Sequence, residues 1–100
     1  MAMVMVFDTE TTTAKEKPFC YNVGYVIFDT DSRAVVCERD FVVEQIWHNL
    51  PLFESAYYAS KRPLYLAMME RSEIECLPWA KGMEVFVDDL AKCNFVGAFN

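Results

Sequence analysis

The sequence has no apolar run that approaches the roughly 20 residues needed to cross a bilayer, so no transmembrane helix is expected. Its N-terminus also has no basic segment that leads into a long apolar stretch. We therefore expect no signal peptide and no membrane partner, and we predict a cytoplasmic location. With 54% apolar residues the chain is too hydrophobic to be disordered, and its 100 residues suffice for one domain at most.

Closely spaced metal-binding cysteines are also missing. The four cysteines are widely separated in the chain, and none forms a C-x-x-C pair (Cys20, Cys37, Cys76 and Cys93). Only one histidine, His48, is available to join them. Because a structural zinc site requires closely spaced soft ligands, we interpret most of these cysteines as buried, reduced thiols.

Basic residues are scarce. Nine lysines and arginines stand against fifteen acidic residues, which gives a net charge of −6. A protein that binds nucleic acid by electrostatics alone neutralises phosphates with a basic face, so this balance counts against that class. It does not exclude a metal-dependent nuclease, because bound cations offset local negative charge.

What the sequence does contain is an unbroken apolar run, Val4–Phe7, that ends in the carboxylates Asp8 and Glu10 and a group of threonines. A short run without polar alternation is typical of a strand buried on both faces. Side chains two residues apart on a strand share a face, so Asp8 and Glu10 should project to the same side. Paired carboxylates repel unless a cation or proton lies between them, and Mg²⁺ prefers carboxylate and phosphate oxygens. The run predicts a Mg²⁺ or Mn²⁺ site that acts on a phosphate ester; the alternative is a solvated strand end.

The remaining pattern predicts an α/β domain with a mixed sheet. Strands are predicted at residues 3–9, 20–29, 34–44 and 95–99, helices at 51–59, 63–71 and 78–92, a loop at 11–18 and an extended segment at 74–77. A turn at residues 29–33 makes the second and third strands antiparallel. The last helix is a crossover that returns the chain to a strand parallel to the first. The predicted sheet order is therefore 3-2-1-4.

Two further patterns allow a functional interpretation. Residues 29–31 repeat the spacing of two carboxylates around a threonine, but they lie between two apolar strands, so we interpret them as a turn rather than a second metal site. Tyr57, Tyr58 and Tyr65 lie near the basic pair at residues 61–62. These tyrosines form either a stacking surface for a single nucleic-acid strand or part of the aromatic core.

The segment Phe7–Thr12, F-D-T-E-T-T, resembles the first motif of the DEDD (DnaQ-like) 3′–5′ exonucleases, which have a ribonuclease H-like fold. Residues Tyr21–Asp29 resemble the second strand of that family, whose glycine faces the active-site strand. Residues Phe95–Asn100 resemble the strand that opens the second motif, in which an asparagine precedes a catalytic aspartate. The resemblance implies that residues 1–100 are the N-terminal part of a single, truncated exonuclease domain.

The same resemblance implies roles for individual residues. In the family, two metal ions about 4 Å apart are clamped around the scissile phosphate. Asp8 would bridge both ions, and Glu10 would bind the ion on the side of the attacking water. Thr11 and Thr12 lie where the family contacts the terminal nucleotide, and Asn100 is the expected substrate-binding residue of the second motif. The implied substrate is the 3′ end of single-stranded DNA or another nucleic acid.

Three hypotheses follow from the sequence. The first is an exonuclease segment that lacks the later catalytic aspartates and is inactive alone. The second is a non-catalytic interaction module that binds a partner or a second copy through an exposed strand edge. The third is another ribonuclease H-like phosphoryl-transfer protein or an unrelated α/β domain.

Overall fold

The fold is a five-stranded mixed sheet with helices, described for residues 2–12, 18–56 and 59–99 in a computed structural model. The strands are β1 (Met3–Thr11), β2 (Cys20–Asp29), β3 (Ala34–Val43), β4 (Glu75–Leu77) and β5 (Phe95–Ala98). The helices are α1 (Glu44–Trp47), α2 (Leu50–Phe53), α3 (Arg62–Glu70) and α4 (Trp79–Leu90), with a 3₁₀ turn at Ala59–Lys61. Among these described residues, no helix is both long and apolar enough to cross a bilayer.

The sheet has the order β4-β3-β2-β1-β5. Strands β1, β2 and β3 form an antiparallel meander, β5 is parallel to β1, and β4 is parallel to β3. The α/β class is confirmed, whereas the predicted four-stranded sheet lacked β4. That strand has only three residues, and it is ordered by pairing with Phe41–Val43 rather than by a local pattern.

Some predicted boundaries differ from those observed. Strand β1 continues to Thr11, where the sequence predicted a loop, because the antiparallel ladder with β2 extends that far. The helix predicted over residues 51–59 is confined to α2, and α1 begins at Glu44, the residue predicted to end the third strand. These short helices lack the long periodic pattern that makes a helix predictable.

Part of the core lies on the face of the sheet that α4 covers. Alternate residues of β2 are buried there (Val23, Tyr25 and Ile27). Another part is an aromatic cluster in which Tyr21 packs edge-on against Phe53 and Tyr65. The Phe86 ring of α4 packs edge-on against Phe7 at 5.7 Å and against Tyr25 at 5.3 Å between ring centroids. Gly82 lets α4 approach this face closely, because a Cβ at that position would lie 2.5 Å from Cε2 of Phe41.

The opposite face of β1 is open. Met5, on the α4 side, is fully buried, but Val4 and Val6 on the other side are only partly buried and Asp8 is exposed. The expectation that β1 is buried on both faces is therefore wrong for the described part of the chain. The reason is that α4 packs on one side of the strand only, through the contact between Phe86 and Phe7.

A buried carboxylate fastens α4 to the sheet. Asp89 is only 5% exposed, and its Oδ2 accepts hydrogen bonds from the Tyr25 hydroxyl at 2.6 Å and from Nε of Arg39 at 2.9 Å. Nζ of Lys92 lies 3.4 Å from the other carboxylate oxygen. Burial by itself raises the pKa of Asp89, but the hydrogen bonds from Tyr25 and Arg39 and the Arg39 charge outweigh it, so the pKa lies below the ordinary value of 3.8. Asp89 is therefore ionised in the folded protein at neutral pH.

Strand β5 is an open edge of the sheet. It pairs with β1 on one side, and all four of its residues are exposed. Phe95 is 64% exposed and Val96 is 48% exposed. A Cβ added at Gly97 would meet nothing within 4 Å. The described residues therefore leave both the edge and the surroundings of β5 uncovered.

Candidate metal site

Asp8 and Glu10 lie together at the C-terminal end of β1, on the open face of the sheet. In the antiparallel ladder Asp8 is opposite Gly24 and Glu10 is opposite Asn22. The register shifts only after Glu10, so the two-residue alternation of the strand is intact at both acids and directs their side chains to the same face. Asp8 is exposed and Glu10 is half-buried. The structure thus brings together the two residues that the sequence predicted as metal ligands.

The two carboxylates interact electrostatically. The pKa of Glu10 is raised above its ordinary value of 4.5, chiefly by burial and then by the negative charge of Asp8, while the charge of Lys61 acts in the opposite direction. A cation between the two carboxylates would relieve this repulsion, since it favours the charged form of both groups. The site is therefore of the kind that gains from a bound cation.

A third carboxylate, Asp40, lies on the same face. It is opposite Gly24 on the side away from Asp8, so Asp8, Gly24 and Asp40 form one row across β1, β2 and β3. A Cβ at Gly24 would be 3.5 Å from Cγ of Asp40, an ordinary van der Waals distance, so this carboxylate lies next to the glycine. Oδ1 of Asp40 accepts a hydrogen bond of 2.6 Å from Nδ2 of Asn22, which also donates to the Phe41 carbonyl at 2.9 Å.

The sequence reasoning did not single out Asp40 or Asn22. The pKa of Asp40 is raised by burial, lowered by the hydrogen bond from Asn22 and raised again by the charge of Asp8. The negative charge of Asp8 is thus close enough to act on the Asp40 carboxyl. The sequence could indicate only part of this arrangement. Alternation along β3 puts Asp40 on one face of its strand, but its place in the row with Asp8 depends on the register of three strands.

A cavity of about 690 Å³ opens beside this row. Its walls combine apolar side chains with carboxylates (Val6, Val26, Met68 and Phe99; Asp8, Glu38, Asp40 and Glu73). Arg39 also lines it, but its guanidinium is paired with Asp89 at 2.9 Å. The volume falls in the range of about 300–1,000 Å³ typical of small-molecule sites, so the cavity has room for a nucleotide.

The predicted substrate-binding threonines have different environments. Thr11 is exposed beside the acids. Thr12 is 2% exposed, and its Oγ1 accepts a hydrogen bond from the Phe19 amide at 2.9 Å while its own amide donates to the Phe19 carbonyl at 2.8 Å. Thr12 therefore joins the two ends of the connection between β1 and β2. Asn100, the remaining predicted substrate-binding residue, lies outside the described residues.

The two other sequence patterns have structural explanations where they are described. The Asp29 carboxylate accepts a hydrogen bond of 2.8 Å from the Asp31 amide, and Arg33 has a φ of 57°, which confirms the turn interpretation. Tyr65 packs edge-on against Tyr21 with ring centroids 6.4 Å apart, so it belongs to the aromatic core. Residues 57–58 lie outside the described residues.

The two carboxylates of the candidate site have the donor chemistry that suits a hard cation. Within residues 2–12, 18–56 and 59–99, no group of three or more histidine, cysteine, aspartate or glutamate side chains is close enough to hold a metal ion. Asp8 and Glu10 provide two hard oxygen ligands, and Mg²⁺ commonly keeps several waters beside one or two carboxylates. The chemistry of the donors therefore suits Mg²⁺ or Mn²⁺, with water in the remaining positions. A two-ion centre needs further ligands beyond these two.

Comparison with known proteins gave no relative: no family model matches the chain, and no curated protein or solved structure matches it either. Its function must accordingly be inferred from the residues and the geometry described above.

Proposed function

We propose that this chain supplies the first metal-binding motif of a 3′–5′ exonuclease-type phosphodiesterase with a ribonuclease H-like fold. Asp8 and Glu10 would hold Mg²⁺ or Mn²⁺, and the substrate is the 3′ end of a nucleic acid. This chain alone contains only the first catalytic motif and does not cleave that substrate. The observation that carries the proposal is the placement of both carboxylates on one open sheet face, where burial and then the charge of Asp8 raise the pKa of Glu10.

The arrangement of the strands supports the fold part of the proposal. The resemblance to the exonuclease family implies an antiparallel meander and a further strand parallel to the first. In this chain β1, β2 and β3 form such a meander, and β5 is parallel to β1. The resemblance also implies a glycine facing the active-site strand, and Gly24 lies opposite Asp8. Strand β4 is an addition to that pattern.

The chemistry would be divided between the ion and the chain. A divalent ion polarises a phosphoryl oxygen and lowers the pKa of bound water. Asp8 and Glu10 would hold the ion near the end of β1, and Thr11 is exposed at the next position of the strand. Thr12 links the end of β1 to Phe19, the residue before β2, through two hydrogen bonds. Hydrolysis requires additional acids and a general base, so this chain alone should bind the ion without turning over substrate.

Metal titration tests the proposal. Wild-type protein should bind Mn²⁺ with a dissociation constant of about 1 mM, comparable to the weakest Ca²⁺ sites built from oxygen ligands. Asp8→Asn should weaken binding at least about tenfold, because only one of the two carboxylates remains. Asp31→Asn is the matched control, since Asp31 belongs to a similar pair of carboxylates that is used in a turn. Binding that is unchanged in Asp8→Asn would overturn the proposal.

An exonuclease assay tests the claim of inactivity. Single-stranded DNA with a 3′ label should remain intact when it is incubated with Mn²⁺ and the wild-type chain. Hydrolysis by wild type that disappears in Asp8→Asn would contradict inactivity, while it would strengthen the assignment of the site. Hydrolysis that persists in Asp8→Asn would indicate a contaminating nuclease.

A second candidate function is a non-catalytic interaction module that pairs through β5. The specific observation is that Phe95–Ala98 is uncharged and exposed, and that no strand among the described residues pairs with its outer side. The strand therefore lacks the charges and prolines that normally protect an edge. Light scattering over a range of concentrations tests it. Wild type should dimerise on concentration, and Val96→Lys should remain monomeric. A wild-type protein that stays monomeric at high concentration would refute self-pairing.

A further inference from the structure

Phe99 is a large aromatic side chain placed at the wall of the acidic cavity rather than in the core. We propose that its ring is a stacking platform for a nucleobase of the substrate. The proposal rests on the proposed function, and it names the part of the nucleotide that this chain recognises. It also assigns a substrate-binding role to a residue for which the sequence motifs implied no role of its own.

The position of Phe99 follows from the parallel ladder. Ala98 is paired with Phe7, and the Phe99 amide donates to the Phe7 carbonyl at 2.8 Å, so the ladder continues for one more residue. Residues paired in a parallel ladder share a face, which places Phe99 in the row of Asp8 on the open face. Both residues line the same cavity. The ring therefore adjoins the proposed metal site.

The ring is available to a ligand. Phe99 is 69% exposed, although a phenylalanine side chain normally contributes a large buried area to a core. The other apolar residues of the cavity wall, Val6, Val26 and Met68, continue the surface on which the ring stands. A flat apolar group that enters the cavity could cover this ring next to the Asp8 carboxylate.

The charge distribution favours a base over a phosphate on this wall. Four carboxylates line the cavity, and the guanidinium of Arg39 is already paired with Asp89. A phosphate would be repelled here unless it is bound to the cation held by Asp8 and Glu10. A nucleobase is uncharged and presents a π-face, and stacking on aromatic rings supports sequence-tolerant binding of single strands. Stacking thus gives a chain of net charge −6 an attraction to nucleic acid that does not depend on basic residues.

The chain contains a matched control residue. Phe95 is 64% exposed and lies on the same strand, opposite Val4 and therefore on the same face as Phe99. It is four residues away, about 13 Å along the strand, and it does not line the cavity. If the loss of any exposed aromatic ring along this edge weakened nucleic-acid binding, the loss should be equal at both positions. A stacking effect should appear only at Phe99.

The experiment measures binding of a 5′-labelled oligothymidylate by fluorescence anisotropy with saturating Mn²⁺. Phe99→Leu should weaken binding about tenfold, as expected for loss of one base–aromatic stack. Phe95→Leu should change it less than twofold, and Phe99→Trp should bind at least as tightly as wild type, with quenching of the introduced indole. Circular dichroism and thermal melting establish that the variants are folded.

The outcomes separate this proposal from the proposed function. Equal binding by wild type, Phe99→Leu and Phe95→Leu, with loss of binding in Asp8→Asn, would overturn stacking and leave the metal site intact. Equal losses in Phe99→Leu and Phe95→Leu would also overturn it, because the effect would not be specific to the cavity. Absence of oligonucleotide binding by wild type would overturn stacking as well, while the Mn²⁺ titration decides the metal site independently.

Discussion

Replacing the buried Asp89 with asparagine should destabilise the fold by about 2 kcal/mol at neutral pH. Asparagine keeps the shape of the side chain but removes the negative charge that accepts from Tyr25 at 2.6 Å and from Arg39 at 2.9 Å. A hydrogen bond to a charged group contributes about 1.5–3 kcal/mol. The Arg39 side chain is 40% exposed, so its share must be reduced for solvent screening. Asparagine also avoids the cost of burying the negative charge of Asp89, and this offsets part of the loss.

The effect should depend on pH. The pKa of Asp89 is lower in the folded protein than its ordinary value of 3.8, because the hydrogen bonds and charge of its partners outweigh the effect of burial. A carboxyl group with a lowered pKa stabilises the fold above its unfolded pKa, and this contribution is lost as the pH falls through the folded pKa. The difference between wild type and Asp89→Asn should therefore be constant near neutral pH and shrink below about pH 4.

Urea unfolding followed by circular dichroism at several pH values provides the measurement. Near neutral pH, a loss of 2 kcal/mol corresponds to a melting temperature lower by about 10 °C in a domain of this size. Lys92→Ala is the control: Lys92 is 69% exposed, so its removal should change the free energy of unfolding by less than about 0.5 kcal/mol. A difference below 0.5 kcal/mol for Asp89→Asn, or one that does not change with pH, would refute the reasoning.

Three further predictions concern other sites. Gly82→Ala should lower the free energy of unfolding by about 1 kcal/mol, as measured by urea unfolding. The new Cβ would lie 2.5 Å from the Phe41 ring, and this overpacking exceeds the gain of about 1 kcal/mol in helix propensity. Combining the change with Phe41→Leu should relieve the overpacking. Thr12→Val should cost about 1–3 kcal/mol in the same assay by leaving the Phe19 amide without its acceptor, whereas Thr12→Ser should be milder. Acidification should weaken Mn²⁺ binding already at a pH above 4.5, because the pKa of Glu10 is raised above that value and a protonated carboxyl group is a poor ligand. Titrations in which the affinity falls only below pH 4.5 would contradict this.

Local pattern was sufficient to predict the central feature of the candidate site. Side chains alternate along any strand, so the spacing of Asp8 and Glu10 specified that they share a face before the partners of the strand were known. The turn at residues 29–31 was predictable for a similar reason, since its side-chain to backbone hydrogen bond involves residues two apart. These features depend on short-range geometry, which the sequence contains directly.

Other features depend on residues far apart in the chain. Asp40 joins the row of Asp8 only through the register of three strands, and Phe99 reaches it only through the pairing of β5 with β1. From the sequence alone, Gly82 is a residue of low helix propensity inside a predicted helix. In the folded protein it is the point at which α4 approaches the Phe41 ring.

The sequence by itself determined the α/β class, the alternation along β1 and the two neighbouring acids at its end. Only the tertiary structure decided which face of β1 is open and that β4 extends the sheet. The same is true of Thr12, which is buried and hydrogen-bonded to Phe19. The physical reason is that strand periodicity and turn chemistry are local, whereas coverage of a face and strand pairing arise from contacts between segments that are distant in sequence.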